Sequence, residues 1–256
     1  ARNRMRYLVN DMGWEKFQNL VLKERAIVKS TQSVIVKLNI DESINEIQRP
    51  ISVSNESASV PDGFARWQKT NVEKQSQGGF NSIFIGLESG DITANQLRSV
   101  AEIIRDYSAE GFARNGFSQN IVIRYVHDDD LKSMYSKLLE TGLAKTGSLT
   151  MASAVGCSGT TSCNLALTNS HRLAKEVQRK FLELKLDEDN DLKDSTIKIS
   201  GCPNSCGQHE VATIGFYGGG GRYENDMFPN YTMSLGGRFD EGSILGHHTA
   251  RVPVKR

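Results

Sequence analysis

Residues 200–218 read SGCPNSCGQHEVATIGFYG, and they hold two of the four cysteines in the chain. Cys202 and Cys206 stand there as C-x3-C, among glycine, proline, serine and asparagine. The other two, Cys157 and Cys163, stand upstream as C-x5-C in GCSGTTSCN. An iron–sulfur cluster takes four cysteine thiolates, so this count and clustering predict a metal site that uses every thiol.

The cysteine spacing alone leaves three other interpretations open. Two disulfides would suit a small secreted domain, but 256 residues can bury a core without them, and the charged first 17 residues contain no signal-peptide segment. A structural zinc site is the second alternative, although zinc ribbons favour C-x2-C pairs and neither gap here is two. The third is four unligated core thiols, which would not need turn-forming residues around them.

The cysteine segments resemble a known signature. In the sirohaem and 4Fe–4S nitrite and sulfite reductases, T/S-G-C-P-N-x-C-G leads into a strand, as SGCPNSCG does here. The upstream cysteine pair and the 38 residues between the two pairs match the same family. The segment from about Phe64 to Leu143 is similar to the ferredoxin-like half-domain that precedes the cluster domain in that family. Together these segments cover most of the chain.

The resemblance implies an α+β fold, with a ferredoxin-like half-domain followed by an α/β nitrite/sulfite reductase domain that binds a 4Fe–4S cluster and sirohaem. It implies that the four cysteines ligate the cluster and that Cys206 also bridges to the sirohaem iron. Asn204, in the same loop, is expected to contact the cofactors. The implied reaction is the six-electron reduction of nitrite to ammonia or of sulfite to sulfide, with electrons from a ferredoxin or a flavoprotein.

One expected part of the active site has no counterpart in the sequence. An oxyanion substrate needs arginines and lysines to bind its charge and supply protons. In the family these come from an earlier half with the same plan, and residues 1–30 look like the tail of that half. We therefore expect the chain to be the C-terminal portion of a longer enzyme, with the anion-binding basic residues outside it.

The charge and apolar composition of the chain limit the kinds of binding partner that can be expected. The chain has 31 lysines and arginines against 30 aspartates and glutamates, so its formal charge is +1. Such a balance indicates neither a nucleic-acid nor a membrane partner. No apolar run approaches the ~18 residues needed to span a bilayer. We expect a cytoplasmic protein, because thiols stay reduced in that compartment.

Three segments are predicted. Residues 1–60 hold the tail of the preceding half and a linker, with a helix near Gly13–Glu24, a strand at Ser33–Ile40 and a polar connector after it. Residues 61–146 are predicted to form the ferredoxin-like half-domain. It should contain strands at Phe80–Leu87 and Asn120–Val126, with one helix opened by a Thr93–Gln96 capping box and another over residues 128–139.

Residues 147–256 are predicted to form the cluster domain. Strands are expected at Leu149–Val155, Ser195–Ser200 and Val211–Tyr217. Cys163 is expected to open a long amphipathic helix, whose first N–H groups would stabilise its thiolate. The four glycines of residues 218–221 are expected to form a flexible turn, since they match no nucleotide-binding motif.

Other conspicuous side chains receive structural interpretations. His247 and His248 are adjacent, so in a strand they would face opposite ways and could not easily chelate one ion. For His209, three residues after Cys206, a structural hydrogen bond is favoured over contact with the cofactors. Trp67 and Lys69 fit a core tryptophan beside a surface lysine at least as well as a pair of cofactor contacts.

Overall fold

The structure, a computed structural model, describes residues 5–31, 60–192, 194–224, 226–240 and 242–254. The chain divides into two compact units, Ala1–Glu46 and Ile47–Arg256. The described part of the first unit holds α1 (Met5–Met12) and α2 (Trp14–Thr31). The helix expected near Gly13–Glu24 is thus confirmed and is longer than predicted. The strand expected at Ser33–Ile40 and most of the connector lie outside the described residues.

The second unit contains two sheets, and the first is a four-stranded antiparallel sheet with helices packed against it. Its strands follow the order β1-β2-β4-β3. The strands are β1 (Val72–Lys74), β2 (Phe80–Ile85), β3 (Ala113–Asn115) and β4 (Ile121–His127), and the helices are α3 (Phe64–Asn71), α4 (Ala94–Tyr107) and α5 (Leu131–Glu140).

Local signals produce most of this layer. The Thr93 side chain accepts a hydrogen bond from the Gln96 N–H, and the Gln96 side chain accepts one from the Thr93 N–H at 3.1 Å, so the predicted capping box opens α4. Buried and partly buried residues alternate along β2, as expected for a strand with one face on a core. The helix predicted over residues 128–139 begins as a 3-10 turn and becomes α-helical at Leu131.

The core of this layer is made of bulky side chains. Several are fully buried between the sheet and the helices: Trp67, Ile83, Ile85, Ile123, Met134 and Leu138. Two predicted strands are confirmed, whereas β1 and β3 were missed because each is only three residues long. Trp67 is a core residue, and Lys69 reaches the carbonyl of Glu188 at 3.3 Å.

The second sheet is mixed and has five strands in the order β5-β6-β7-β8-β9. The pairs β5–β6 and β6–β7 are parallel, and the remaining two pairs are antiparallel. The strands are β5 (Val155–Gly156), β6 (Ile197–Ser200), β7 (Ile214–Tyr223), β8 (Asp226–Leu235) and β9 (His247–Pro253), and α6 (Ser170–Glu183) connects β5 to β6.

Three predictions about this layer need correction. The strand expected at Leu149–Val155 is only two residues long, because turns occupy most of that segment. The strand expected from Val211 begins at Ile214, since residues 209–211 form a 3-10 turn. The four glycines of residues 218–221 lie inside β7 rather than in a turn, and each pairs with a residue of β8.

A fourth correction concerns Cys163, which does not open a helix. It follows a 3-10 turn, and α6 begins seven residues later at Ser170. Asn169 caps that helix, because its side chain accepts a hydrogen bond from the Arg172 N–H at 3.0 Å. The expected stabilisation of the Cys163 thiolate by a helix N-terminus is therefore not available.

None of the described helices is both long enough and apolar enough to cross a membrane.

Candidate metal centre

The two cysteine-bearing loops meet at Gly201. The carbonyl oxygen of Gly201 accepts hydrogen bonds from the N–H groups of Leu167 and Thr168, at 2.8 and 3.2 Å. A Cβ atom on Gly201 would lie 2.9 Å from the Cα of Gly159 and 3.0 Å from the Cβ of Ala166. The first loop thus packs on the start of the second at a distance that only glycine permits.

Cys157 is the cysteine with the best-defined surroundings. It follows β5, and its N–H donates to the carbonyl of Ile199 on β6 at 3.0 Å. Its sulfur accepts a hydrogen bond from the N–H of Gly201 at 3.1 Å and lies 3.1 Å from the hydroxyl of Ser170. Ser170 is fully buried at the start of α6. The Ser170 hydroxyl donates to the Cys157 carbonyl at 2.9 Å. A sulfur that accepts a hydrogen bond from a fixed N–H group suits a thiolate ligand.

Cys163 is held by its backbone. Its N–H donates to the carbonyl of Gly159 at 3.0 Å, and its carbonyl accepts from the N–H of Ala166 at 3.2 Å. Gly159 has a φ of +54° and packs so closely on α6 that a Cβ would lie 2.6 Å from the Ser170 nitrogen. The tight turn at Gly159 therefore sets the path of the chain from Cys157 to Cys163, and Cys163 is half-buried.

The second loop places its two cysteines in different environments. Cys202 is buried, whereas Cys206 is exposed, and Asn204 between them is also exposed. Ser205 and Gln208 both have a φ of +59°, which is unusual for residues other than glycine. The N–H of Gln208 closes this turn onto the carbonyl of Ser205 at 2.8 Å. The chain thus bends sharply on both sides of Cys206 and presents its thiol at the surface.

A buried serine and histidine close the second loop. The Ser200 hydroxyl accepts a hydrogen bond from the Gly207 N–H at 3.0 Å and lies 2.9 Å from Nδ1 of His209. His209 is buried and packs on the ring of Tyr217, with centroids 4.8 Å apart. Burial lowers the pKa of His209, and His248 lowers it further against the opposing effect of Glu210. The structural hydrogen bond favoured for His209 is confirmed.

Sequence reasoning assigned no role to Ser170, which belongs to no motif, or to Ser200, which opens the SGCPNSCG motif but was not singled out. Each acquires its role only through the fold, when α6 or the Gly207 turn brings a cysteine loop against it. The signal available in the sequence was position: Ser200 immediately precedes the GCPNSCG loop, and Ser170 follows the helix cap.

The four thiols are free, and the side chains are not gathered as ligands. Among the residues that the structure describes, no group of three or more His, Cys, Asp or Glu side chains is placed to hold a metal ion. The convergence of the loops is carried by their backbones. A donor set of four thiols, with the Gly201 N–H already donating to the Cys157 sulfur, fits a thiolate-ligated iron–sulfur cluster.

The basic residues at one cavity of the second unit do not form an anion site. This cavity, of about 730 Å³, is lined by Lys145, Lys175 and Arg179. Each of the three is ion-paired with a carboxylate, Lys145 with Glu88, Lys175 with Asp91 at 2.6 Å and Arg179 with Glu176 at 2.8 Å. Their charge is therefore already neutralised at this surface.

Comparison with known proteins agrees with this α+β architecture of a ferredoxin-like half-domain and a cysteine-bearing mixed sheet. The family described as "Nitrite/Sulfite reductase ferredoxin-like half domain" matches residues 73–141. A ferredoxin–nitrite reductase of Synechococcus elongatus is 29% identical over 70% of this chain and 35% of its own length. The chloroplastic ferredoxin–nitrite reductase of Spinacia oleracea is 26% identical over 98% of this chain and 39% of its own length.

Sulfite reductases match as well. "Sulfite reductase [ferredoxin] 1" of Mycolicibacterium paratuberculosis is 24% identical over 96% of this chain and 40% of its own length. The structure of the Mycobacterium tuberculosis NirA protein superposes with a TM-score of 0.57 at 22% identity, over 72% of this chain and 34% of that one, and confirms the fold. Residues 73–141 thus match the half-domain of the nitrite/sulfite reductase family, and the chain is similar over most of its length to ferredoxin-dependent nitrite and sulfite reductases. It spans only 35–40% of the length of these curated relatives.

Proposed function

We propose that this chain is the cluster-bearing portion of a sirohaem nitrite or sulfite reductase. The whole enzyme would reduce nitrite to ammonia or sulfite to sulfide with six electrons, taking protons from solvent and releasing water. The observation that carries the proposal is the junction at Gly201, which brings the two cysteine loops together in a chain similar to these reductases. Similarity to both nitrite and sulfite reductases leaves the choice of anion to experiment.

The four cysteines are proposed to ligate a 4Fe–4S cluster. Cys157, Cys163 and Cys202 lie half-buried or buried, which suits thiolates that hold a cluster inside the protein. Cys206 is exposed, so its sulfur is the one best able to reach a second group, and we assign it the bridge to the sirohaem iron. Asn204, exposed in the same loop, is proposed to contact the cofactors. When bound, the two cofactors would supply the electron transfer and the anion-binding iron.

The chain's own residues would hold and tune the cluster. The Gly201 N–H donates a hydrogen bond to the Cys157 sulfur, and the Ser170 hydroxyl, which donates to the Cys157 carbonyl, would hold this cysteine in position. Ser200 and His209 would keep the second loop closed around Cys206. The fixed N–H donor of Gly201 therefore lies beside Cys157, whereas the exposed thiol is that of Cys206.

The remaining partners are proposed from the family. The electron donor would be a ferredoxin or a flavoprotein, and the names of the relatives favour ferredoxin. The N-terminal half of the enzyme would supply the arginines and lysines that bind the anion. A reducing compartment such as the cytoplasm suits a site built from free thiols.

Visible absorbance of the full-length enzyme, reconstituted anaerobically with iron, sulfide and sirohaem, tests the proposal. The wild type should show both the iron–sulfur absorption and the red bands of sirohaem. Cys206→Ser should lose the sirohaem bands, whereas Glu210→Gln, an exposed change just beyond the loop, should keep them. A wild type that took up a cluster but no sirohaem would contradict the enzyme proposal and indicate an electron-transfer module.

Reduction rates measured with nitrite and with sulfite on the same sample would then identify the substrate. Equal failure with both anions, in a sample that carries both cofactors, would also contradict the proposal.

A further inference from the structure

Tyr231 on β8 carries a buried hydroxyl group that has no hydrogen-bond partner among the described residues. The residue is only 6% exposed, and its ring packs on Phe216 with centroids 6.3 Å apart. A buried hydroxyl without a partner costs free energy, so such groups in native proteins usually face an ordered water or a bound group.

The position of Tyr231 in the sheet indicates what its side chain faces. It pairs directly with Gly218 on β7, and directly opposed residues of antiparallel strands place their side chains on the same face. On that face Gly218 packs tightly against the Gly201 carbonyl and the Thr168 hydroxyl. Since Gly218 has no side chain, the Tyr231 ring lies on the side of the sheet where the two cysteine loops join.

The electrostatic surroundings of Tyr231 agree with this placement. Burial raises the pKa of Tyr231 and so does the Cys157 sulfur, whereas the Thr168 hydroxyl, which lies close but outside hydrogen-bond geometry, lowers it. A tyrosine hydroxyl has one proton to donate, and no acceptor among the described residues takes it. The Cys157 sulfur already accepts one hydrogen bond, from the Gly201 N–H at 3.1 Å.

We propose that the Tyr231 hydroxyl donates a hydrogen bond to the sulfur atoms on the Cys157 side of the cluster and thereby raises the reduction potential of the cluster. This inference rests on the proposed function, since it requires the cluster to be present. A donor near the sulfur stabilises the reduced state, which carries one more negative charge than the oxidised state. Tyr231 is thus a tuning residue that acts through the cluster and not on the substrate.

A potentiometric titration of the reconstituted protein, followed by the cluster's EPR signal and with dithionite as the electron source, tests this inference. Tyr231→Phe should favour the oxidised cluster about tenfold, which lowers the potential by about 59 mV for a one-electron couple. Tyr107→Phe is the matched control, because it removes the hydroxyl of a buried tyrosine in the other core. Its potential should equal that of the wild type.

A second variant keeps the test decisive if Tyr231→Phe misfolds. Incorporation of 3-fluorotyrosine at position 231 nearly preserves the shape of the side chain and makes the hydroxyl a stronger donor, so it should raise the potential. A cluster whose potential is the same in the wild type, Tyr231→Phe and the fluorinated protein would overturn the role of Tyr231 while leaving the proposed function intact. Failure of the wild type itself to assemble a cluster would overturn the proposed function, and this inference with it.

Discussion

The two sheets of the second unit are held together in different ways. The first sheet packs large side chains such as Trp67, Ile83 and Ile123, all fully buried, against three helices. In the second, backbone meets backbone at glycines: a Cβ on Gly201 or Gly207 would collide with a neighbouring segment. The first sheet therefore depends on hydrophobic volume. The second has a smaller hydrophobic core, which includes Ile197, Ile199 and Tyr231, and it depends in addition on a close approach of loops, which also brings the cysteines together.

The largest effect is expected for Gly207→Ala in the second sheet. A Cβ there would overlap the carbonyl oxygen of Ile199 and crowd the Ser200 hydroxyl that closes the loop. Because the obstacle is backbone, we expect a loss of about 4 kcal/mol of unfolding free energy. Urea unfolding followed by circular dichroism measures this loss.

The same substitution should also lower the iron content after reconstitution. Gly78→Ala is the matched control, since a Cβ at Gly78 would meet nothing within 4 Å, and it should change stability by less than about 0.5 kcal/mol. Equal effects of the two substitutions would show that the close backbone approach at Gly207 does not stabilise the second sheet.

Ile123→Ala tests the hydrophobic core of the first sheet. Ile123 is fully buried in the first core, so the cavity should cost about 3 kcal/mol in urea unfolding. Leu97→Ala, at a position 52% exposed on α4, should cost much less. The folded fraction of Ile123→Ala should bind as much iron as the wild type. A loss of iron as large as that of Gly207→Ala would show that packing in the first sheet also controls the cysteine loops.

His209 should make the second sheet sensitive to acid. Its folded-state pKa is lowered by burial below the ordinary value of 6.5, so the unfolded chain takes up the proton first as the pH falls. The stability that depends on neutral His209 is complete above pH 6.5 and decreases as the pH falls from there toward the lowered pKa.

Urea unfolding at equal iron content, at pH values on both sides of this window, measures the effect. His209→Gln should flatten the pH dependence, whereas the exposed His247→Gln should leave it as in the wild type. An unchanged slope in His209→Gln would exclude His209 as its source. The effect should be smaller than that of Ile123→Ala.

The smallest effect is expected for Thr93→Ala, which removes the capping box of α4. Loss of the bond from the Gln96 N–H should cost about 1 kcal/mol, because one N–H at the helix start loses its partner. Glu102→Ala, exposed on the same helix, should be nearly neutral in the same urea titration. A neutral Thr93→Ala would show that packing alone holds the start of α4.

Features that depend on neighbouring residues could be predicted from the sequence, and features that depend on tertiary contacts could not. The Thr93–Gln96 box and the alternation along β2 are local and were predicted correctly. Cys163 was wrongly placed at a helix start, because the apolar periodicity extends back beyond the Asn169 cap. The glycines at 218–221 disfavour a strand by propensity, but pairing with β8 and contact with Gly201 hold them in one.

At the candidate site, too, local features could be predicted and tertiary contacts could not. The GCPNSCG loop pointed to the nitrite and sulfite reductases that the chain resembles, since a motif is written in the local sequence. The role of the four thiols as cluster ligands stays a prediction. The closure of the loop by Ser200 and His209, and the approach of Tyr231, arise only when β6, β7 and β8 pair.

The most direct test of the account is the iron and acid-labile sulfide content after anaerobic reconstitution. The wild type should bind about four iron and four sulfide ions per chain, as a 4Fe–4S cluster requires. Cys157→Ser should lose most of both, and the neighbouring exposed change Ser158→Ala should lose neither. A wild type that instead bound a single zinc or iron ion without sulfide would contradict the assignment of the four cysteines to an iron–sulfur cluster.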